Sequence, residues 1–294
     1  MRILFVPLGL SLVKLLSALP AWVGLIVGKL IGRLIHKIAR KRRFVCEKNL
    51  QVCFPFRSQG EIQKLTRHCF EENGVGLIET SWAWFRPDEF IIPRVKIEGL
   101  EVIREAQTNN RGILLLCPHY SMLDLTAPIL YSVVGKFVIS YRPNDNPEFD
   151  AAIRRGRSRY ADLVDVRSLR EIATRLRRGD VVWFGPDQDM GPKGSVFAPF
   201  FNRLACTVTT PARLARMSGA TAIFLDLHRS QITYHAKFLN LGEGYPEENE
   251  VANATRLNFL IEQAVRSHPE QYMWMHKRFK TNPDLTRQTL YEVD

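Results

Sequence analysis

Residues 112–124 read Gly-Ile-Leu-Leu-Leu-Cys-Pro-His-Tyr-Ser-Met-Leu-Asp, an apolar run that ends in a polar cluster. The continuous apolar run before Pro118 predicts a buried strand over residues 112–117. In open α/β sheets, catalytic and binding groups gather beyond the carboxyl ends of the strands. His119 and Asp124, which follow this strand, are therefore the first candidates for a functional site.

Further apolar runs alternate with helical patterns along the chain. The predicted strands are residues 94–98, 112–117, 136–141, 163–166, 181–184 and 221–228. The predicted helices are residues 61–85, about eight residues from Leu100, and residues 148–159, 168–178 and 208–218. This alternation predicts the α/β class, with helices packed on a mixed sheet. Because no repeat or long linker interrupts residues 44–294, we expect a single domain there.

The overall composition excludes several classes of protein. The 294 residues include 46% hydrophobic and 24% charged side chains, which is ordinary for a folded domain and excludes disorder. The five cysteines show no C-x-x-C spacing, so neither a disulfide scaffold nor a structural zinc site is predicted. The formal net charge of +11 comes mostly from one segment, residues 29–43, which holds seven Lys and Arg and no acid.

The N-terminal segment, residues 1–43, is predicted to anchor the protein to a membrane. Residues 3–27 contain a single charged side chain, Lys14, and a membrane span needs roughly 20 apolar residues. Two arrangements stay open: one transmembrane helix, or a re-entrant or interfacial helix pair broken at Pro20. In either, the basic segment lies at anionic headgroups with the domain in the cytoplasm. A buried amphipathic helix is the alternative, whereas the lack of interleaved stacking aromatics disfavours nucleic acid as a partner.

The spacing of His119 and Asp124 matches the needs of a general base. Within one helix these positions point about 140° apart, but they can meet if His119 lies on the turn and Asp124 in the first helical turn. A carboxylate bound to one imidazole nitrogen makes the other nitrogen more basic. The structural alternative is a capping box, which Ser121 and Asp124 resemble.

Two other predicted strands also end in polar clusters. Arg142 follows the strand at residues 136–141, and Arg157 lies in an arginine-rich stretch; each could bind a phosphate, a carboxylate or an oxyanion, or merely make a surface contact. Asp187 and Asp189 follow the strand at residues 181–184 and could hold a divalent metal. The flanking glycines favour an ordinary loop instead, so no metal ligand is predicted. No nucleotide-binding loop, zinc-protease motif or α/β-hydrolase elbow occurs.

Taken together, these clusters resemble the lysophospholipid acyltransferase superfamily, whose signature is H-x4-D or H-x4-E. The closer resemblance is to the late acyltransferases of lipid A biosynthesis, and it covers nearly the whole chain. It rests on residues 141–146 (YRPNDN), 186–201 (PDQDMGPKGSVFAPFF) and 269–283 (PEQYMWMHKRFKTNP). Many lipid A members carry Glu where this chain has Asp124, whereas the glycerolipid branch carries Asp. The F-P-E-G-T-R-like block of that branch is, however, missing here.

The resemblance implies a glycerolipid-acyltransferase-type domain at the bacterial inner membrane. It further implies transfer of an acyl chain from an acyl carrier protein thioester to a hydroxyl of a lipid A precursor, without a cofactor. His119 would be the general base and Asp124 would orient it. The residues expected to bind substrate are Arg142, Asn144, Arg157, Asp187 and Asp189. A basic surface at Lys277, Arg278 and Lys280 could steer the acyl carrier protein, or could cap a solvated C-terminal helix.

Three other functions stay open at this point. The nearest is an acyltransferase of the same superfamily that acts on a lysophospholipid or an ornithine lipid. A second is a non-catalytic membrane adaptor, and a third is a metal-dependent glycosyltransferase that uses Asp187 and Asp189.

Overall fold

The computed structural model describes residues 5–109, 111–242, 244–284 and 290–292. The first four residues of the predicted N-terminal anchor therefore lie outside the described residues. The α-helices are α1 (Phe5–Ser17), α2 (Ala21–Ile38), α3 (Arg40–Cys53), α4 (Gln59–Phe85), α5 (Asp88–Ile91), α6 (Leu100–Thr108), α7 (Thr126–Val134), α8 (Pro147–Arg157), α9 (Leu169–Arg177), α10 (Thr210–Ser218) and α11 (Glu250–Ser267). Short 3-10 helices cover Ile92–Arg94, Leu123–Leu125 and Pro269–Gln271.

The β-strands form one large sheet and one hairpin. They are β1 (Val95–Glu98), β2 (Ile113–Leu116), β3 (Phe137–Tyr141), β4 (Ala161–Asp165), β5 (Val181–Phe184), β6 (Ser195–Phe200), β7 (Arg203–Val208), β8 (Thr221–Ser230) and β9 (Thr233–Asn240). The seven-stranded sheet has the order β1-β9-β8-β2-β5-β3-β4, and every neighbouring pair is parallel except β8 with β9. Strands β6 and β7 pair as an antiparallel hairpin. The prediction of an α/β fold with a mixed sheet is confirmed.

The apolar runs become strands because the sheet is covered on both faces. Along β2, Leu114 and Leu116 face a core with α3, α9, α10 and α11, whereas Ile113 and Leu115 face a second core with α6, α7 and the C-terminal half of α4. All four side chains are fully buried. Burial on both faces explains why the run is continuously apolar rather than alternating.

The sequence patterns miss several elements. Strand β9 has alternate buried and more exposed side chains, and β6 and β7 lie outside the main sheet. Strands β7 and β9 lack the continuous apolar runs of the buried parallel strands, and Pro199 interrupts the apolar run of β6. Helix α7 directly follows the polar cluster after β2, and α11 (Glu250–Ser267) buries only one side. The solvated C-terminal helix considered for Lys277 is not formed, because residues 272–282 are bends and turns.

The N-terminal segment forms two helices that meet at Pro20, as the helix-pair alternative predicts. Helix α2 packs on α4 through Gly28 and Gly32, which let the two backbones touch, and through Gly24, which makes room for the side chain of Trp82. Its opposite face leaves Trp22, Ile26, Leu30 and Leu34 exposed, so the buried-helix alternative holds for one face only. Of the helices in the described residues, none is both long and apolar enough to cross a membrane.

The close contact between α2 and α4 predicts a sharp effect of Gly32→Ala. A Cβ atom at position 32 lies 2.1 Å from the carbonyl oxygen of Phe70, so α2 must move away from α4. We expect a loss of about 1–3 kcal/mol in the free energy of unfolding, measured by chemical denaturation. Gly60→Ala is the matched control, because no atom lies within 4 Å of its added Cβ, and it should be neutral or stabilising. Equal stabilities for the two variants would contradict the packing.

Candidate active site

The three polar clusters meet at one edge of the sheet. Strands β2, β5 and β3 are adjacent and parallel, so the loops that follow Leu116, Phe184 and Tyr141 leave the sheet side by side. This brings His119, Asp187 and Arg142 into one region, as the sequence predicts for strand carboxyl ends. The site is therefore assembled by the order of the strands.

Asp187 holds His119 at two points. Its Oδ1 atom lies 2.6 Å from the ring Nδ1 of His119, and its Oδ2 accepts a hydrogen bond of 3.0 Å from the backbone N–H of the same residue. An ionised carboxylate can only accept hydrogen bonds, so Nδ1 must carry the proton. With the proton on Nδ1, the Nε2 atom is the ring nitrogen that can accept a second proton.

The electrostatics keep Asp187 ionised although it is buried. Burial acts to raise the pKa of this carboxyl, but the electrostatic attraction of the imidazole and the hydrogen bonds that its ring and backbone donate outweigh burial and hold the pKa far below its usual range. The side chain is only 3% exposed, whereas His119 is 16% exposed. A fixed negative charge thus lies behind an imidazole whose other edge is accessible, which is the arrangement a general base needs.

Asp124 does not make the predicted hydrogen bond to His119. Its Oδ1 accepts a bond of 2.7 Å from Nε of Arg157, and its Oδ2 a bond of 3.3 Å from Nη2. A weaker contact of 3.4 Å comes from Nε1 of Trp84. Among the described residues, no hydrogen bond or ion pair joins Asp124 to His119, so the predicted pairing is wrong and Asp187 replaces Asp124 in it. The capping box is also absent, because Asp124 lies in a 3-10 helix without a side-chain cap.

Asp124 instead forms an ion pair with Arg157. Burial acts to lower the pKa of Arg157, but the attraction of Asp124 outweighs it and the pKa is raised. The guanidinium therefore stays charged at the wall of the site. Both side chains are mostly buried, and removal of one partner of such a pair strongly destabilises the folded protein, because the other charge is left buried and unpaired.

Gly185 gives the His119 ring the space it occupies. A Cβ atom at position 185 would lie 2.4 Å from Cε1 and 3.0 Å from Nε2 of His119. Any side chain there pushes the ring away from Asp187. Trp183, one residue before Phe184, contacts the ring edge-on at 6.0 Å between centroids. The end of β5 thus supplies both the partner and the clearance for the imidazole.

A C-terminal segment holds the loop that carries His119. Met273 donates its backbone N–H to the carbonyl of His119 at 3.0 Å, and Ser121 donates to the carbonyl of Gln271 at 2.8 Å. Asn49 of α3 in turn donates from Nδ2 to the carbonyl of Trp274 at 2.7 Å. These contacts lie within the stretch 269–283 that carries part of the family resemblance, but its role as a support was not predicted.

His276 and Gln188 were also missed by the sequence analysis. The ring of His276 lies 6.0 Å from that of His119, between centroids, and its Nε2 is 3.1 Å from Nε2 of Gln188. Burial, followed by the charge of His119, lowers the pKa of His276 to about 4. His276 is therefore neutral at physiological pH and accepts the hydrogen bond from Gln188. The only signal in the sequence was their position inside the quoted stretches.

A cavity of about 340 Å³ opens in front of His119. Of the predicted substrate-binding residues, Arg142, Asn144 and Arg157 line this cavity, together with Gln188. Arg142 is largely exposed and pairs with Asp145 at 3.1 Å. The apolar part of the wall is formed by Leu123, Ile153, Val166, Trp183, Phe184, Met190 and Val208. The cavity therefore combines a polar end at the imidazole with apolar sides.

Asp189 lies apart from this cavity and has a structural role. Its carboxylate accepts hydrogen bonds from the backbone N–H groups of Gly191, at 2.9 Å, and Thr281, at 2.7 Å. It also accepts from the Thr281 hydroxyl at 2.8 Å. Asp187 and Asp189 therefore bind different partners. Across the described ranges, no group of three or more His, Cys, Asp and Glu side chains could hold a metal ion.

Comparison with known proteins identifies the family of this chain. The model of the family described as "bacterial lipid A biosynthesis acyltransferase" matches residues 1–281. The chain belongs to this family. It is thus an acyltransferase of lipid A synthesis, and the resemblance seen in the sequence is confirmed, whereas the adaptor and glycosyltransferase alternatives are wrong.

Curated relatives support the same assignment. The acyltransferase is 35% identical over 291 residues to the lipid A biosynthesis lauroyltransferase of Escherichia coli (strain K12), covering 94% of this chain and 92% of the relative. It is 35% identical over 280 residues to the lipid A biosynthesis palmitoleoyltransferase of the same organism, covering 94% of this chain and 90% of the relative. It is 30% identical over 263 residues to the lipid A biosynthesis myristoyltransferase of that organism, covering 87% of this chain and 79% of the relative.

The hydrogen bond at Nδ1 predicts which acid the acyltransferase needs more. Asp187→Asn removes the charge behind His119 and allows the wrong imidazole tautomer, so kcat should fall by about 10²-fold or more. Asp124→Asn is the matched control, since it also takes one charge from a buried pair but leaves the bond at Nδ1. It should lose less activity in steady-state acyl transfer. An equal or larger loss in Asp124→Asn would contradict the assignment.

Proposed function

We propose that this acyltransferase moves a fatty acyl chain from an acyl carrier protein thioester to a hydroxyl of a lipid A precursor, with His119 as the general base. The observation that carries the proposal is the hydrogen bond of 2.6 Å between Nδ1 of His119 and Asp187. It leaves Nε2 beside a cavity of about 340 Å³. In this form Asp187 takes the orienting role first assigned to Asp124.

The proposed reaction needs one base and no covalent enzyme intermediate. Nε2 of His119 takes the proton of the acceptor hydroxyl while the hydroxyl oxygen attacks the thioester carbonyl carbon. The carbon–sulfur bond then breaks, and the imidazolium returns the proton to the leaving thiolate. Asp187 stabilises the imidazolium between the two steps. Arg157, fixed by Asp124, is the nearest charged candidate to stabilise the oxyanion or to bind an anionic group of the acceptor.

The walls of the cavity suit a lipid substrate. The apolar side chains described above can bind an acyl chain, while Arg142, Asn144 and Gln188 provide polar contacts at the same opening. A small recess of about 20 Å³ shares Leu123, Arg157 and Trp183 with the cavity, and apart from Asp124, Thr126 and Arg157 its lining is apolar. The acyl chain is proposed to run from His119 towards this recess.

Acyl carrier protein is the proposed donor, but its contact surface differs from the predicted one. Arg278 is buried and donates to the carbonyl of Cys206 at 2.7 Å, and Lys280 donates to the carbonyl of Asp189 at 3.1 Å. Lys277 remains exposed and shares a cavity of about 410 Å³ with Arg40 and Lys41. This basic surface is the better candidate to attract an acidic carrier protein.

The proposed location is the cytoplasmic face of the bacterial inner membrane. Trp22, Ile26, Leu30, Leu34 and Ile38 form an exposed apolar line on α2, and each is more than half exposed. Lys29, Arg33 and Lys37 lie on the same helix. An apolar face beside basic side chains is typical of helices that lie in the interface of an anionic membrane.

Substitution of His119 tests the proposed function directly. In an assay with purified enzyme, acyl carrier protein thioester and lipid A precursor, His119→Gln should lower kcat by about 10²-fold or more, because the base is lost. His68→Gln, on α4 and remote from the site, is the control and should keep full activity. Coenzyme A thioesters as alternative donors, and lysophospholipids and ornithine lipids as alternative acceptors, are tested in parallel. Transfer to one of these acceptors but not to the lipid A precursor would refute the proposed acceptor.

A further inference from the structure

A second cavity lies between the N-terminal helix and the catalytic domain. It has a volume of about 290 Å³ and is bounded by Leu10, Ser11 and Lys14 of α1, by Trp84 and Phe85 at the end of α4, and by Ala152, Arg155 and Gly156 of α8. Two cations and two aromatic rings thus face one space, and its lining includes no acidic residue. Neither the reaction described above nor the family resemblance assigns it a role.

The two cations of this cavity are unlike their neighbours. Arg154, Arg157 and Arg159 each form an ion pair with an aspartate, at 2.7–2.9 Å. In contrast, the side chains of Lys14 and Arg155 form no ion pair and no hydrogen bond to any described residue. Two unpaired cations beside one cavity favour an anionic ligand, and a phosphate group offers acceptor oxygens to both.

Trp84 connects this cavity to the Asp124–Arg157 pair, whose arginine lines the catalytic cavity. One edge of its indole donates from Nε1 to Asp124 at 3.4 Å, while the side chain also lines the basic cavity. Gly156 lets α8 reach the indole, because a Cβ atom there would lie 2.4 Å from the ring. Arg155 and Arg157 stand on either side of Gly156 on α8, about 200° apart around the helix. One therefore lines the basic cavity and the other the catalytic cavity.

Helix α1, which bounds the basic cavity, also exposes apolar side chains that suit a membrane surface. Leu12 and Leu15 of this helix are 56% and 69% exposed, and both are sequence neighbours of the residues that line the cavity. Lys14 is the single charge in the apolar N-terminal run, and a lysine stem can lie along apolar surface while its ammonium stays with polar groups. Phosphate groups of lipids are anions available at a membrane surface.

We propose that the basic cavity binds a phosphate group of the acceptor lipid while the acceptor hydroxyl lies at His119. This inference rests on the proposed function, because it takes the acceptor to be a phosphorylated lipid in the membrane. The phosphate is then bound beside Trp84 in the basic cavity, while the reacting hydroxyl lies in the catalytic cavity that Arg157 lines. Binding at the basic cavity then orients the acceptor without touching the reacting atoms.

The test compares acceptors with and without phosphate. In the double variant Lys14→Gln/Arg155→Gln, the KM for a phosphorylated lipid A precursor should rise by about 10-fold to 100-fold, since two charged contacts are lost. The kcat should change little, and the KM for the enzymatically dephosphorylated precursor should stay as in the wild type. Arg104→Gln/Arg170→Gln, two exposed arginines outside the cavity, is the control with the same change in net charge.

A vesicle assay identifies the source of the phosphate. Binding of the same variants is measured to phosphatidylcholine vesicles with and without phosphatidic acid. If the double variant loses phosphatidic acid binding but keeps its preference for the phosphorylated precursor, the cavity binds bulk lipid and its assignment to the acceptor is overturned. Equal behaviour of the double variant and the control in both assays would overturn the phosphate site itself. If the wild type transfers no acyl chain, the proposed function fails, while the vesicle assay still tests the cavity.

Discussion

The hydrogen bond between His119 and Asp187 is the interaction on which the rest of the site depends. It joins the loop after β2 to the loop after β5, and it exists because these strands are neighbours in a parallel sheet. Asp187 stays ionised although it is buried, since the electrostatic attraction of the imidazole and the hydrogen bonds from His119 outweigh the cost of burial. The fixed charge sets the imidazole tautomer and leaves Nε2 facing the cavity.

Two further features keep this pair in place. Gly185 provides the space for the ring, and the C-terminal segment around Met273 binds the backbone of the loop that carries His119. Asn49 ties that segment to α3. Because these supports come from β5, the C-terminus and an N-terminal helix, the geometry of the imidazole depends on the folded protein as a whole rather than on a local motif.

The sequence predicts where the site lies better than it predicts how its groups pair. Burial on both faces makes β2, β3 and β5 continuously apolar, so these strands and the polar residues after them can be recognised. The spacing of His119 and Asp124 predicts a pair, but it carries no information about the strand order that brings Asp187 to the imidazole. Asp124 instead binds Arg157, which lies 33 residues further along the chain. Long-range partners of this kind depend on tertiary packing, which periodicity and spacing do not encode.

The N-terminal helices follow the same pattern. The break at Pro20 is readable from sequence because proline removes a backbone donor and ends the preceding helix. The packing of α2 on α4 through glycines, and the apolar line left on the opposite face, emerge only once the partner helix is known. One helix thus serves as part of the domain on one side and as the proposed membrane contact on the other.

The position of the proton on the His119 ring tests the proposed His119–Asp187 pair most directly. Nitrogen-15 NMR of the imidazole, in the wild type and in the asparagine variants of the two acids, reports which ring nitrogen carries the proton. We expect a proton on Nδ1, with a strongly hydrogen-bonded resonance, in the wild type and in Asp124→Asn. In Asp187→Asn we expect this resonance to be lost. A resonance that is unchanged in Asp187→Asn but lost in Asp124→Asn would contradict it.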